Sequence, residues 1–204
     1  MADLTATTTG LAPFAYYRLN EAAGTVATDT QAHSNGTYAG TYTLGATPNT
    51  ANDAGSVSLG GAGDITTNLL VTDAGLIGAS FSVSFFVKSA TATPGYERFV
   101  ANGHTDAGDN GFQIYSLPGG AAQIDVRNTV LVSASSPTFT WAVGTFVHIV
   151  AVVDSVNNRT LLYANGTAGT AGGYQSMAAS AYVTAIGFNP AYVGDYANGT
   201  ISEV

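Results

Sequence analysis

Three glutamates, ten aspartates and three histidines are the groups in this chain able to move a proton or hold a metal, and cysteine is absent. Cleaving a glycosidic bond takes two carboxyl groups on either side of it, which a strand supplies when acids recur two residues apart. Glu21, Glu97 and Glu203 each lack an aspartate at that spacing. Glu97 stands beside Arg98 and reads as a solvated ion pair in a loop. No Gly-x-Ser-x-Gly elbow exposes a nucleophilic serine. His33, His104 and His148 fall on separate segments with no metal-ligand spacing, and His148, inside an apolar run, reads as a buried, hydrogen-bonded core histidine. The missing cysteine excludes disulfides, thiolate zinc sites, iron–sulfur clusters and thiol nucleophiles. No catalytic residue is assigned.

Cation binding and sugar binding remain. Calcium takes hard oxygen ligands from a flexible loop. Asp106, Asp109 and Asn110, in Thr105–Gly111, have types and spacing able to ring a cation, although the same residues also build plain turns. Sugars are held by aromatic platforms with fixed amide or carboxylate partners. Trp141, the sole tryptophan, is either core or a rim platform. Tyr174, Tyr192 and Tyr196 lie in Gly-, Asn- and Ala-rich loops, with Asp195 and Asn198 beside two of them. Asn189–Asn198 is therefore the candidate contact loop, the alternative being rings packed on loop backbone.

The elements that must position these groups have a period of two. In Ser80–Lys88, Phe81, Val83, Phe85 and Val87 share one face. Gly111–Leu117 and Ala122–Arg127 alternate likewise and are joined at Pro118-Gly119-Gly120. Thr129–Ser133 continues the meander. Phe146–Val153, apolar on both faces except at His148, reads as a central, doubly covered strand. Arg159–Ala164 is its partner across the Asp154–Asn158 turn, and Asn165-Gly166 is a strong turn signal. Tyr182–Phe188 and Thr200–Val204 are further strands. No window has convincing helical spacing, although Met177–Tyr182 has room for one turn. The fold class is all-β, a sandwich or barrel.

Length and charge agree. The chain has 204 residues, enough for one all-β domain, and only 9% are charged. One lysine and four scattered arginines, within a net charge of −8, argue against a basic nucleic-acid surface. No apolar run approaches the roughly 18 residues of a membrane helix. The first residues lack the basic and apolar regions of a signal peptide.

Three segments resemble the laminin-G-like branch of the concanavalin A-like lectin/glucanase superfamily. They are AYYRLNEAAGTVATDTQAHSNGTYAG (15–40), the aromatic-rich strand SFSVSFFVKS, and FVHIVAVVDSVNNRTLLYANG with the closing GTISEV. The resemblance implies a jelly-roll sandwich of two antiparallel sheets, one of them concave. It also implies a structural calcium ion near Asp29 and its following loop, with Glu203 brought close by the closing strand. Ser202 stands where the family usually has Asp, and the Glu-x-Asp-x-x-Glu strand of the superfamily's glucanases is missing.

These readings give the following expectations. Residues 1–12 are a flexible leader, and 13–204 are one laminin-G-like domain lacking its last C-terminal strand segment. The domain is a non-catalytic recognition or assembly module. Low charge and abundant Thr, Ala and Gly point to a bacteriophage structural protein, at a virion surface or otherwise extracellular. Its partners would be a glycan or host-surface receptor and other virion subunits or copies of itself, with no nucleic acid and no membrane insertion. The alternatives are a carbohydrate-binding module, a glycoside hydrolase-related domain, or a bacterial adhesin domain.

Overall fold

The computed structural model describes residues 4–48, 55–103, 109–139, 141–192 and 194–204. A seven-residue helix, α1 (Leu4–Gly10), occupies the segment read as a leader. The elements that follow are strands: β1 (Val26–Ala27), β2 (Gly36–Ala46), β3 (Ser56–Thr67), β4 (Phe81–Ser89), β5 (Arg98–Ala101), β6 (Gly111–Leu117) and β7 (Ala121–Arg127). They continue with β8 (Leu131–Ser135), β9 (Val147–Asp154), β10 (Arg159–Ala164), β11 (Thr167–Ala168), β12 (Gly172–Gly173), β13 (Ala185–Ile186) and β14 (Asn198–Ser202).

Local chemistry sets the hairpins. Asp154 turns β9 into β10 by accepting the Val156 and Asn157 amides and the Asn157 side chain. Those bonds, led by the Asn157 side chain, hold its carboxyl below the ordinary aspartate range. Asn165-Gly166 closes the next hairpin with both residues at positive φ. In β2, Gly40 has φ +69°, and a Cβ there would sit 1.9 Å from the Ala62 carbonyl oxygen, so the register shift after it requires glycine.

The antiparallel ladder runs β11-β10-β9-β4-β14-β3-β13-β5-β6-β7-β8, with β2 added along β3. It curls into two layers. The long β3 is the corner, pairing β14 with its first half and β13 with its second. Rings meet across the interior: Phe85 of β4 packs on Phe99 of β5, and Phe81 on Phe112 of β6. A bridge between Ser135 and Thr170 brings the far edges together. The architecture is the expected jelly-roll sandwich, drawn as one continuous curled sheet.

Several expectations change in detail. The meander strand is Leu131–Ser135, not Thr129–Ser133, and only Ala185–Ile186 of 182–188 pairs as strand. Met177–Tyr182 makes no helical turn. β9 is central, between β4 and β10, but covered on one side. Val147, Ile149, Ala151 and Val153 are buried, while His148, Val150 and Val152 are half-buried on the outer face. His148 is thus not a core histidine. Its Nε2 lies 2.8 Å from Ser84 Oγ and its ring stacks on Phe86, and partial burial lowers its pKa. Trp141 is core: 2% exposed and wedged against Phe99 and Phe139, it offers no face to a sugar.

Candidate functional site

Strand alternation makes two-sided rows of β6, β7 and β8. Phe112, Ile114, Ile124, Val126 and Ala134 enter the core. Their neighbours Gln113, Tyr115, Gln123, Asp125, Arg127, Ser133 and Ser135 therefore share the opposite face. Register aligns them into two rungs. One reads Arg98–Tyr115–Gln123–Ser135 and the other Gln113–Asp125–Ser133.

Asp125 is the hub. It is fully buried, and four donors reach its carboxylate: Gln113 Nε2 at 3.2 Å and the Tyr115 hydroxyl at 2.8 Å on Oδ2, Gln123 Nε2 at 2.8 Å and the Ser133 hydroxyl at 2.6 Å on Oδ1. A carboxylate has about four lone-pair sites, so this one is saturated. Gln123 Nε2 also lies 2.6 Å from the Tyr115 oxygen, and Gln113 Oε1 accepts from Asn189 at 3.0 Å. Buried polar networks hold a single geometry only when every member is satisfied. Asp125 thereby fixes Gln123 and Ser133, which reach solvent.

Residues 189–192 and 194–198 form the rim. Arg98 lies over the Tyr115 ring at 4.3 Å, donates Nη1–H to the Tyr96 carbonyl at 2.8 Å, and pairs with Asp195 at 3.7 Å. Tyr196 bridges to Arg98 through the backbone and stacks on Phe188. Tyr192 is 41% exposed and Tyr96 51%. The Tyr192 ring rests on Gly194, where a Cβ would come within 2.8 Å of it. Asp195 follows in the left-handed region at φ +53°, a strain that surrounding contacts must hold. The Asn198 amide donates to Glu97 Oε2 at 3.1 Å, and burial pushes the Glu97 carboxyl above its ordinary pKa. Of the predicted contact residues, Tyr192, Asp195, Tyr196 and Asn198 come together here. Tyr174 packs against the core elsewhere, and Trp141 is enclosed.

The residues expected to hold calcium are used otherwise. Asp29 is buried, with Oδ1 taken by the Tyr16 and Gln31 amides at 2.9 and 3.0 Å and Oδ2 by the His33 and Ser34 amides at 2.9 and 3.1 Å. Those four bonds exhaust its lone pairs. Glu203 accepts the Tyr16 hydroxyl and lies 3.7 Å from Arg18. The two carboxylates grip opposite ends of Tyr16, fastening the first segment to the closing one, and this donor set does not fit a calcium ion. Asp109 and Asn110 line a concavity with Ala179–Tyr182, and Asn110 Nδ2 reaches the Ala179 carbonyl at 3.4 Å. Asp106 lies outside the described residues. No group of three His, Asp or Glu among the described residues is arranged for a metal.

The sequence reading missed Gln113, Tyr115, Gln123, Asp125 and Ser133. The signal was present as polar residues alternating with apolar ones in 111–117 and 122–127, but alternation alone marks any solvated face.

A laminin-G-type family model of the concanavalin A-like lectin/glucanases superfamily matches residues 60–204. A search of curated proteins finds no match. Among solved structures, domain 4 of a GH43 extracellular arabinanase from Geobacillus stearothermophilus, in complex with arabinotriose, is similar at a TM-score of 0.60 and 20% identity. The match covers 93% of this chain and 88% of that one. The CBM40 of Ruminococcus gnavus IT-sialidase, bound to α2,6 sialyllactose, matches at 0.51 and 12% identity over 72% of this chain and 88% of that one. The sialidase of Trypanosoma rangeli in complex with sialic acid matches at 0.60 and 13% identity, over 93% of this chain and 29% of that one. Identities this low establish a shared fold and leave function to the site.

Proposed function

The chain belongs to the concanavalin A-like lectin/glucanases superfamily, and on that premise we propose that it is a non-catalytic carbohydrate-binding module. Its site is the polar face of β5–β8, rimmed by residues 189–192 and 194–198. The observation that carries this reading is the pair of rungs organised by Asp125. Amide and hydroxyl groups held in fixed directions, beside exposed tyrosine rings, are what a polyol with apolar ring faces needs. The arabinotriose and sialyllactose named for the two matched modules support it.

The same geometry argues against hydrolysis. The carboxylates around this face are Asp125, enclosed and saturated, Asp195, ion-paired with Arg98, and Glu97, half-buried and bonded to the Asn198 amide. Hydrolysis takes two carboxyl groups free to act on either side of one bond; here Asp125 is enclosed and the other two are each engaged with a protein group. Host-surface attachment from a virion would employ the same face, but that setting rests on composition alone, so the module reading is preferred. Its ligand would be an extracellular glycan.

The test is calorimetric titration against a panel of plant and host oligosaccharides. Tyr192→Ala and Gln123→Ala should each weaken binding about tenfold, equivalent to about 1.4 kcal/mol. Undiminished affinity in both variants would remove the site, and release of reducing sugar would overturn the non-catalytic assignment.

A further inference from the structure

Resting on the glycan-binding reading of this face, we propose that its ligand is a neutral oligosaccharide laid across β5 to β8, with its far end in the concavity beyond Ser135.

The charges on the face carry the first half. Recognition of a sugar carboxylate calls for a guanidinium open to the ligand, ideally as a two-pronged fork. Arg98 is 3% exposed and is spent on the Tyr96 carbonyl, the Tyr115 ring and Asp195. Arg127, on the same face, is also engaged within the fold. At the rim the Asp195 side chain is 39% exposed and already paired with Arg98. With both arginines of the face engaged, a chain of net charge −8 disfavours an acidic sugar. The accessible partners are Gln123, Ser133 and Ser135, which exchange hydrogen bonds with hydroxyls and gain nothing from ligand charge.

The shape carries the second half. Leu117 and Ala121 are register partners one rung beyond Tyr115 and Gln123. They line a concavity of about 560 Å³ together with Pro118, Ser135, Thr138 and Thr170, and none of its lining residues is ionisable. Ser135 belongs both to the polar rung and to this concavity. The four strands span about 14 Å at the usual spacing. A linear chain running from Tyr192 over Gln123 would therefore enter the concavity at Ser135.

The experiment is calorimetry on the full chain with neutral arabino-, gluco- and galacto-oligosaccharides of increasing length, and with sialyllactose as the anionic probe. One neutral series should bind with affinity that rises with length and is insensitive to salt, and sialyllactose should bind at least about tenfold more weakly. Thr138→Trp, at an exposed position of the concavity, should erase the gain from length while leaving the melting temperature unchanged. Sialyllactose binding as tightly as the best neutral sugar, or falling steeply with salt, would overturn the inference and leave the module reading standing. Length-independent affinity, or a Thr138→Trp protein that binds long oligomers normally, would also overturn it. Binding of no glycan at all would bring down both.

Discussion

Asp29→Ala removes one carboxylate and leaves four backbone N–H groups without their acceptor. The Tyr16 amide is buried, so leaving it unsatisfied costs about 1–3 kcal/mol. The Gln31, His33 and Ser34 amides are partly buried and can recover water, which limits each loss to about 0.5–1 kcal/mol. The expected destabilisation is about 3–5 kcal/mol, concentrated where residues 15–20 meet the closing segment. For a chain of this length each kcal/mol lowers the melting temperature by about 2–4 °C, so a fall of about 6–20 °C is expected by calorimetry, with a matching shift in the urea midpoint. Asp29→Asn keeps Oδ1 for Tyr16 and Gln31 but turns an NH2 group toward the His33 and Ser34 amides, so it should lose about half as much. Asp73→Ala is the control, since Asp73 accepts one exposed amide, from Leu70, and should cost less than about 1 kcal/mol. Asp29→Ala within about 1 kcal/mol of wild type would refute the clasp.

His148 is held below its ordinary pKa by burial. Its contribution is therefore complete above the unfolded value of about 6.5 and is lost as pH falls through it, with a slope of at most about 1.4 kcal/mol per pH unit. His148→Gln should flatten the stability profile between pH 7 and 5, and identical profiles would refute the assignment. Because Asp29 and Glu203 are already committed, EDTA and added calcium should each shift the melting temperature by less than about 1 °C. A fall of several degrees on chelation would restore a structural ion. Trp141→Ala should destabilise by about 3–5 kcal/mol through cavity formation and leave glycan affinity per folded molecule unchanged. A specific loss of affinity at full folding would return Trp141 to the site.

The strands were legible where local forces decide them. β6 and β10 run as their alternation and turns indicate, and β4 to within a residue of its ends, because period-two burial and Asn-Gly or Pro-Gly turns act over a few residues. β8 and β13 were misplaced because short strands at a curled edge take their limits from the partner strand, not from their own residues. Aromatic-rich 189–198 stood out by composition, and the structure places its residues 189–192 and 194–198 at the rim of the polar face. Trp141 stood open in sequence between core and rim, and His148 reads there as core, since an imidazole among valines carries no mark of which side of the sheet it takes. Tertiary structure settled both, sending Trp141 in and His148 out.

Sequence by itself determined the period, the turns, the acidic balance and the family resemblance. Only the folded chain decided that Asp29 is a clasp and that Asp125 gathers four donors from three strands. A carboxylate's role depends on which groups reach its lone pairs, and those groups are brought to it by register between strands and closure of the whole sheet.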